Sequence, residues 1–510
     1  MVSNFKEENE FGKHNLSHLY DLFLRGVKKK RDGIALIQDE RHLTYKEVEY
    51  YSIQLANYLR SHYNIKKGDR VAAFMMNSME YGCLVFACMK IGAVLLPLNI
   101  RLQKDEIDFI LEDAQPKVCV GDEGFFEEIK RLEYQCPLFL SNEILINNFY
   151  KDDKPPLEEE TVTKDDPAFL IYTSGTTGRP KGALLHHGGV IHTVLSYQMF
   201  FETSSLTKTI IAVPMFHVTG LIGQLLHVAY VGGTSVILKR YQTRPYIDKL
   251  LDEKANFLFN VPTIFTMLLS TFDKTNESPF NFVETIAFGG APMSPSLLKK
   301  LEQQFPKASL HNCYGATETC SPTTIMPKNY PSSKQDAVGV PIPQAEVKVI
   351  GENGEELPEG EIGELIIKGP MVIKKYWNFD EANKKNFQNG FWFSGDYGTI
   401  DIDGYVYIKD RKKDMINRGG ENIYSIEIEN VLNRHEAVEE AAVVGVPHQL
   451  FGEVVKAFVV PLKESLDIDE LRDYSSRYLA DYKVPEYIEI VKELPKNPGG
   501  KILKNLLKNN

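Results

Sequence analysis

Between Asp69 and Asp122, short apolar runs alternate with segments whose apolar residues recur every three or four positions. "RVAAFMMN" reads as a strand, "EYGCLVFACMKIG" as a helix, "AVLLPLN" as a strand, "KDEIDFILEDA" as an amphipathic helix and "KVCVGD" as a strand. Such alternation predicts a layered α/β body with largely parallel strands, because parallel neighbours are joined only through a crossover, usually a helix. The pattern resumes with "TIIAVPM", an apolar helix from Gly220, then "TSVIL", "ETIAFGG" and the helical "PSLLKKLEQQF". One architecture is expected to about Lys334.

From Ala345 the character changes. "EVKVIGENGEELPEGEIGELIIKG" reads as two β runs joined by a Gly- and Glu-rich turn, so a β-rich subdomain should close the body. Beyond "YVYIKDRKKDMINRGG" a helix opened by Ser425, with Glu427 and Glu429 in its first turn, has a favourable cap and dipole arrangement. The runs "EEAAVVGVP" and "EVVKAFVVPL" and the helix "DELRDYSSRYLA" complete a small α+β unit. With the linker near Asp410, the division expected is a body over 1–409 and a small domain over 410–510.

Composition narrows the class. A chain of 510 residues is too long for one ordinary core. Its formal net charge of −11 opposes nucleic-acid and anionic membrane partners, but leaves room for a small anion held by local positive charge. The six cysteines include no CxxC pair, which indicates neither zinc nor a disulfide framework and fits a reducing cytoplasm. The most membrane-like stretch, Tyr81 to Ile100, is interrupted by Lys90, Gly92 and Pro97 and reads as buried helix followed by strand. No integral membrane segment and no secretory leader are expected.

The chemistry concentrates first in "LIYTSGTTGRPKGALLHH". After a strand come Thr173, Ser174, Gly175, Thr176, Thr177 and Gly178, then Lys181. Glycines let backbone N–H groups converge on an oxyanion, hydroxyls add donors and the lysine adds charge, so this is a phosphate-binding loop. It is not the P-loop of nucleotide triphosphatases, because the spacing differs and no hydroxyl follows the lysine.

That stretch resembles the signature of the AMP-forming adenylating superfamily of acyl-CoA synthetases, luciferase-like enzymes and adenylation domains. The resemblance continues in order through "PMFHVTG", "FGGAP", "YGATE", "FSGD", "KDRKKDMINRGGENIYSIEIE" and "LPKNPGGK". It implies a two-step reaction: a carboxylate attacks the α-phosphorus of ATP and releases pyrophosphate, then a thiol captures the acyl-adenylate. ATP, Mg2+ and CoA are the implied cofactors, a small carboxylic acid the implied partner, and a homodimer is compatible with it. By the same resemblance Glu318 is a magnesium ligand, with Thr173 beside it, and Tyr314 stacks on adenine against Gly290, Ala291 and Pro292. Gly315 and Thr317 belong to the same nucleotide motif, Asp396 accepts the ribose hydroxyls and Arg411 is its companion. Lys501 reaches the acyl carboxylate and α-phosphate, while His217 gates the acyl pocket. Lys413 is the hinge about which a mobile small domain turns, presenting Gly419 and Gly420 to the pantetheine channel.

For the acid, "PMFHVTG" offers no carboxylate to hold an amino group, which disfavours amino acids. The helix "GLIGQLLHVAYVGG" and the floor "FGGAP" supply apolar and small side chains and no evident Arg or Lys. A medium- or long-chain fatty acid is preferred on these grounds, with an aryl acid of the coumarate or succinylbenzoate kind as the alternative. A luciferase-like oxidative enzyme and a non-catalytic nucleotide-binding scaffold are further readings.

Overall fold

A computed structural model describes residues 16–145, 161–173, 180–271, 278–419, 421–462, 466–496 and 502–508. Two large parallel-rich sheets form the body. In the nine-stranded sheet, Ile34–Gln38, Thr234–Ile237, Lys208–Ile211, Phe257–Asn260, Thr285–Gly289 and Ser309–Tyr314 run parallel. The six-stranded sheet is parallel through Leu138–Leu140, Val118–Gly121, Arg70–Phe74, Val94–Pro97 and Pro167–Thr173. It ends on the antiparallel strand Lys181–His186.

The helix Met79–Ile91 touches strands of both sheets and buries every residue except Lys90. This explains its apolar character between Glu80 and Lys90: a helix sandwiched between layers has no wet face. Ser78 caps its start by accepting from the Tyr81 N–H, and Gly92 at φ 67° ends it. Phe86 on this helix stacks on Phe23 with ring centroids 4.1 Å apart. Among the described residues no helix is long and apolar enough to cross a membrane.

The third sheet is antiparallel throughout, with Glu346–Ile350 against Gly363–Lys368 as the Gly- and Glu-rich turn predicts, followed by Phe391–Ile400 and Val406–Arg411. A fourth sheet, built on Val438–His448 and Gly452–Pro461, packs against the helix Ser425–Leu432. Two details depart from the sequence reading. Asp410 sits within the strand Val406–Arg411, and Ser425 does not cap its helix. Tyr424 occupies the cap position without a side-chain bond, because the Ser425 hydroxyl is turned to Asp410 instead.

The apolar helix expected from Gly220 begins as a π-helix over Thr219–Leu226 and continues as an α-helix over His227–Val231. Gly223 lies where a Cβ would meet the Phe259 ring at 2.6 Å, so the widened turn presses directly on the strand behind it. Such widened turns recur at functional sites.

Candidate active site

A cavity of about 1990 Å³ opens where the parallel strands of the nine-stranded sheet end, bounded by Val213, Val261, Gly289 and Cys313. Ligands bind at carboxyl ends of parallel strands because loops and helix starts converge there with unsatisfied backbone donors. The third sheet adds Asp396 and Arg411, and Lys496 reaches the same space from the C-terminal part of the chain.

The phosphate-loop strands form an antiparallel hairpin whose last register pair is Thr173 opposite Lys181, and both residues line the cavity. Ser174, Gly175, Thr176, Thr177 and Gly178 lie outside the described residues. The Thr173 hydroxyl donates to the Lys181 carbonyl at 3.5 Å. Lys181 Nζ stands 5.4 Å from the centre of the Tyr376 ring and 5.8 Å from that of Phe379. Burial pulls its pKa down, and the nearby Glu318 charge opposes that pull.

Glu318, in the short 3₁₀ turn Thr317–Thr319, is buried beside Gly315 and Thr317 on the cavity wall. Its carboxylate accepts from the Tyr376 hydroxyl at 3.0 Å, and the Tyr376 oxygen accepts in turn from Trp392 Nε1 at 3.3 Å. Desolvation raises the Glu318 pKa, with Tyr376, Arg411 and Lys181 acting the other way. No motif pointed to Tyr376; only its contacts place it here.

Across the cavity Asp396 receives Arg411 Nε at 2.7 Å on one oxygen and the Tyr314 hydroxyl at 2.7 Å on the other. The register pair Asp396 opposite Arg411 fixes this geometry through adjacent antiparallel strands. Gly290, at φ 81°, lines the cavity, whereas Ala291, Pro292 and Tyr314 are not among its described lining residues. Tyr314 meets the site through its hydroxyl.

At the other end His217, Thr219, Phe259, Val261, Ile264 and Met267 form a mostly apolar wall. Burial, with a contribution from the Arg101 charge, pushes the His217 pKa down to about 4. Arg101, Lys239 and Arg240 line this cavity as well. The sequence reading found no such cations here: Arg101 comes from a segment remote in sequence, and Lys239 and Arg240 follow the strand Thr234–Ile237, just beyond the apolar helix on which that reading rested.

Comparison with known proteins decides the family. The AMP-binding enzyme model matches residues 23–377, and the AMP-binding enzyme C-terminal domain model matches 427–501. The chain belongs to the AMP-binding enzyme family. It is 35% identical to a feruloyl-CoA synthase of Amycolatopsis sp over 91% of this chain and 92% of that one. It is 32% identical to a long-chain-fatty-acid–CoA ligase of Mycobacterium tuberculosis over 91% and 92%. The o-succinylbenzoate CoA synthetase of Bacillus subtilis, solved with its acyl-adenylate intermediate, superposes with a TM-score of 0.85 at 31% identity, covering 96% of this chain and 98% of that one. This AMP-binding enzyme is therefore an AMP-forming acid–thiol ligase of the acyl-CoA synthetase class.

Of the remaining expected residues in this AMP-binding enzyme, Lys413 lines the cavity, and its carbonyl accepts from Lys508 Nζ at 3.3 Å. Gly419, at φ 61°, donates its N–H to the Phe451 carbonyl at 2.7 Å and stands away from the cavity lining. Gly420 and Lys501 lie outside the described residues, but Ile502, next to Lys501, bridges to the cavity-lining Lys496.

Proposed function

We propose that the chain joins an apolar carboxylic acid to CoA in two steps at this one cavity, with a medium- or long-chain fatty acid as substrate. In the first, an oxygen of the acid attacks the α-phosphorus of ATP and the bond to pyrophosphate breaks. In the second, the CoA sulfur attacks the acyl carbonyl carbon, the thiol proton is lost, and AMP leaves with the bonding electrons. The carrying observation is that one continuous cavity joins Lys181, Glu318 and the Asp396–Arg411 pair to the apolar wall from His217 to Met267.

Each polar group has a physical task. Charge accumulates on phosphate oxygens in the first step, so the positive charge of Lys181 is worth most there. Asp396, held by Arg411 and Tyr314, offers a carboxylate to the ribose hydroxyls. A divalent cation fits Glu318: the carboxylate is buried, lines the cavity, and receives one phenol and no ion pair from the described residues. Glu318, with Thr173 beside it, would hold Mg2+ together with nucleotide phosphates, and the cation would supply charge neutralisation there. A protein solved in this fold, the Bacillus subtilis synthetase, is also known with ATP and magnesium ion. His217, held neutral at pH 7 by its burial, stands at the acyl wall without repelling Arg101.

Rotation of a small domain over 410–510 about Lys413 lets one cavity serve both steps and excludes water from a hydrolysable adenylate. Free cysteines throughout the described residues agree with a cytoplasmic setting. A second substrate reading, an aryl acid, is favoured by Arg101, Lys239 and Arg240 in the cavity, which suit a polar or anionic ring substituent, and by the feruloyl and succinylbenzoate relatives. A panel of fatty and aryl acids scored for pyrophosphate release, with and without CoA, tests the proposal. Release with fatty acids supports the first reading, release confined to aryl acids supports the second, and ADP formation refutes both.

A further inference from the structure

One buried charged cluster lies outside the reacting groups. Asp410, Ser425, Glu429 and Lys504 are all withdrawn from solvent, the lysine and glutamate side chains being 12% and 11% exposed. Lys504 Nζ donates to Glu429 Oε1 and to Ser425 Oγ, each at 2.6 Å. The Ser425 hydroxyl donates in turn to Asp410 Oδ2 at 2.7 Å, and the Ser425 N–H donates to the same oxygen. Glu429 Oε1 also accepts the Val443 N–H at 2.8 Å, and Asp410 Oδ1 accepts the Arg411 N–H at 2.7 Å. Burial works against the Lys504 charge, yet Glu429 and Asp410 outweigh it and raise its pKa.

The members come from three places. Asp410 belongs to the third sheet, one residue before Arg411, whose guanidinium holds Asp396. Ser425 and Glu429 lie on the first helix of the small unit, and Lys504 lies on the terminal helix Lys504–Leu507. In the chain, Lys413 falls between Asp410 and the other three. The tail that carries Lys504 is fixed further back by the bridge of Ile502 to Lys496, which lines the cavity. We infer that Lys504 is a positioning residue: through Ser425 it latches the small unit to Asp410 across the hinge, holding Lys496 at the cavity for the first half-reaction.

A latch made of buried charge has the right properties for this. Its bonds are strong while dry and weaken once water enters, so it favours a closed or an open arrangement over intermediates. Breaking one partner leaves an uncompensated charge, whereas an apolar contact of the same area would slide.

The inference rests on the two-step ligase reading, and its test separates the two. In the full-length enzyme Lys504→Met should lower pyrophosphate release by roughly a hundredfold, the order expected when a reacting group is misplaced by about 1 Å. Thioester formation from a supplied acyl-adenylate should stay near wild type. The double variant Lys504→Met with Glu429→Gln removes one of the two stranded carboxylate charges and keeps the acceptor for Val443, so its melting temperature should recover in part while pyrophosphate release stays low. If release recovers with stability, if both steps fall together in the double variant, or if Lys504→Met equals wild type in both steps, Lys504 is not a positioning residue. A wild-type enzyme that releases no pyrophosphate with any acid instead overturns the ligase reading, and this inference with it.

Discussion

Glu318→Gln separates what this carboxylate does for folding from what it does for chemistry. The residue is 9% exposed and accepts the Tyr376 hydroxyl at 3.0 Å, while desolvation lifts its pKa above 4.5. A raised folded-state pKa means that the folded chain holds this proton more tightly than the unfolded chain does. Its contribution therefore favours folding below pH 4.5 and is lost as pH rises through the folded value. At neutral pH the bare carboxylate works against folding by about 1.4 kcal/mol for each tenfold tightening of its proton. Glutamine keeps the shape and the acceptor for Tyr376 and carries no charge. Without nucleotide or Mg2+, the variant should thus melt higher than wild type at pH 7, by about 2 °C for each kcal/mol, with the gap closing towards pH 4.5. Pyrophosphate release should move the other way, falling about 10²–10³-fold, or 3–4 kcal/mol, the scale for losing one preorganised electrostatic group. Thermal melts across pH, paired with Mg2+-titrated pyrophosphate assays, read both effects. A variant that melts lower than wild type at pH 7, or that retains wild-type pyrophosphate release, refutes the reasoning.

Asp396→Asn should raise the KM for ATP about tenfold to a hundredfold, since charge-assisted hydrogen bonds contribute about 1.5–3 kcal/mol, while Tyr314→Phe should raise it only a few-fold; equal effects would show that Tyr314 does more than orient Asp396. His192, His227 and His311 are buried in the body with pKa values pushed down to about 4, chiefly by desolvation. Because their folded values lie below the unfolded 6.5, their stabilisation is present above pH 6.5 and lost as pH falls towards 4. Melting temperature should drop steeply over that interval, and a flat profile there would contradict their burial as neutral rings. Leu84→Ala, at a fully buried position of the helix Met79–Ile91, should lower unfolding free energy by about 2–5 kcal/mol in urea titrations, with the KM for ATP unchanged because Leu84 does not line the cavity.

The reading of elements along the chain succeeded where local pattern and tertiary environment agree. Val94–Pro97, Val118–Gly121 and Thr285–Gly289 are short apolar runs between helices, and all became parallel strands because a continuous run without a polar face has no stable place except inside a two-sided layer. Ser425 misled the local reading. A serine ahead of two glutamates has the signature of a cap, but a buried carboxylate fifteen residues earlier in the chain, Asp410, competes for its hydroxyl and wins. The π-helix at Thr219 also escaped, since an apolar run with glycines carries no mark of whether its turns close on the fourth or fifth residue.

The sequence by itself settled the order of elements and the parallel-rich body, because these follow from periodicity and from the alternation of helical and strand patterns along the chain. Which groups face one another was decided only by the fold. Glu318 meets Tyr376, Asp396 meets Tyr314, Arg101 shares a cavity with His217, and Lys504 closes on Ser425. Each of these is a contact between segments that local propensity treats as independent. Their proximity is set by how the sheets stack and how strands register, and no window of sequence encodes that distance.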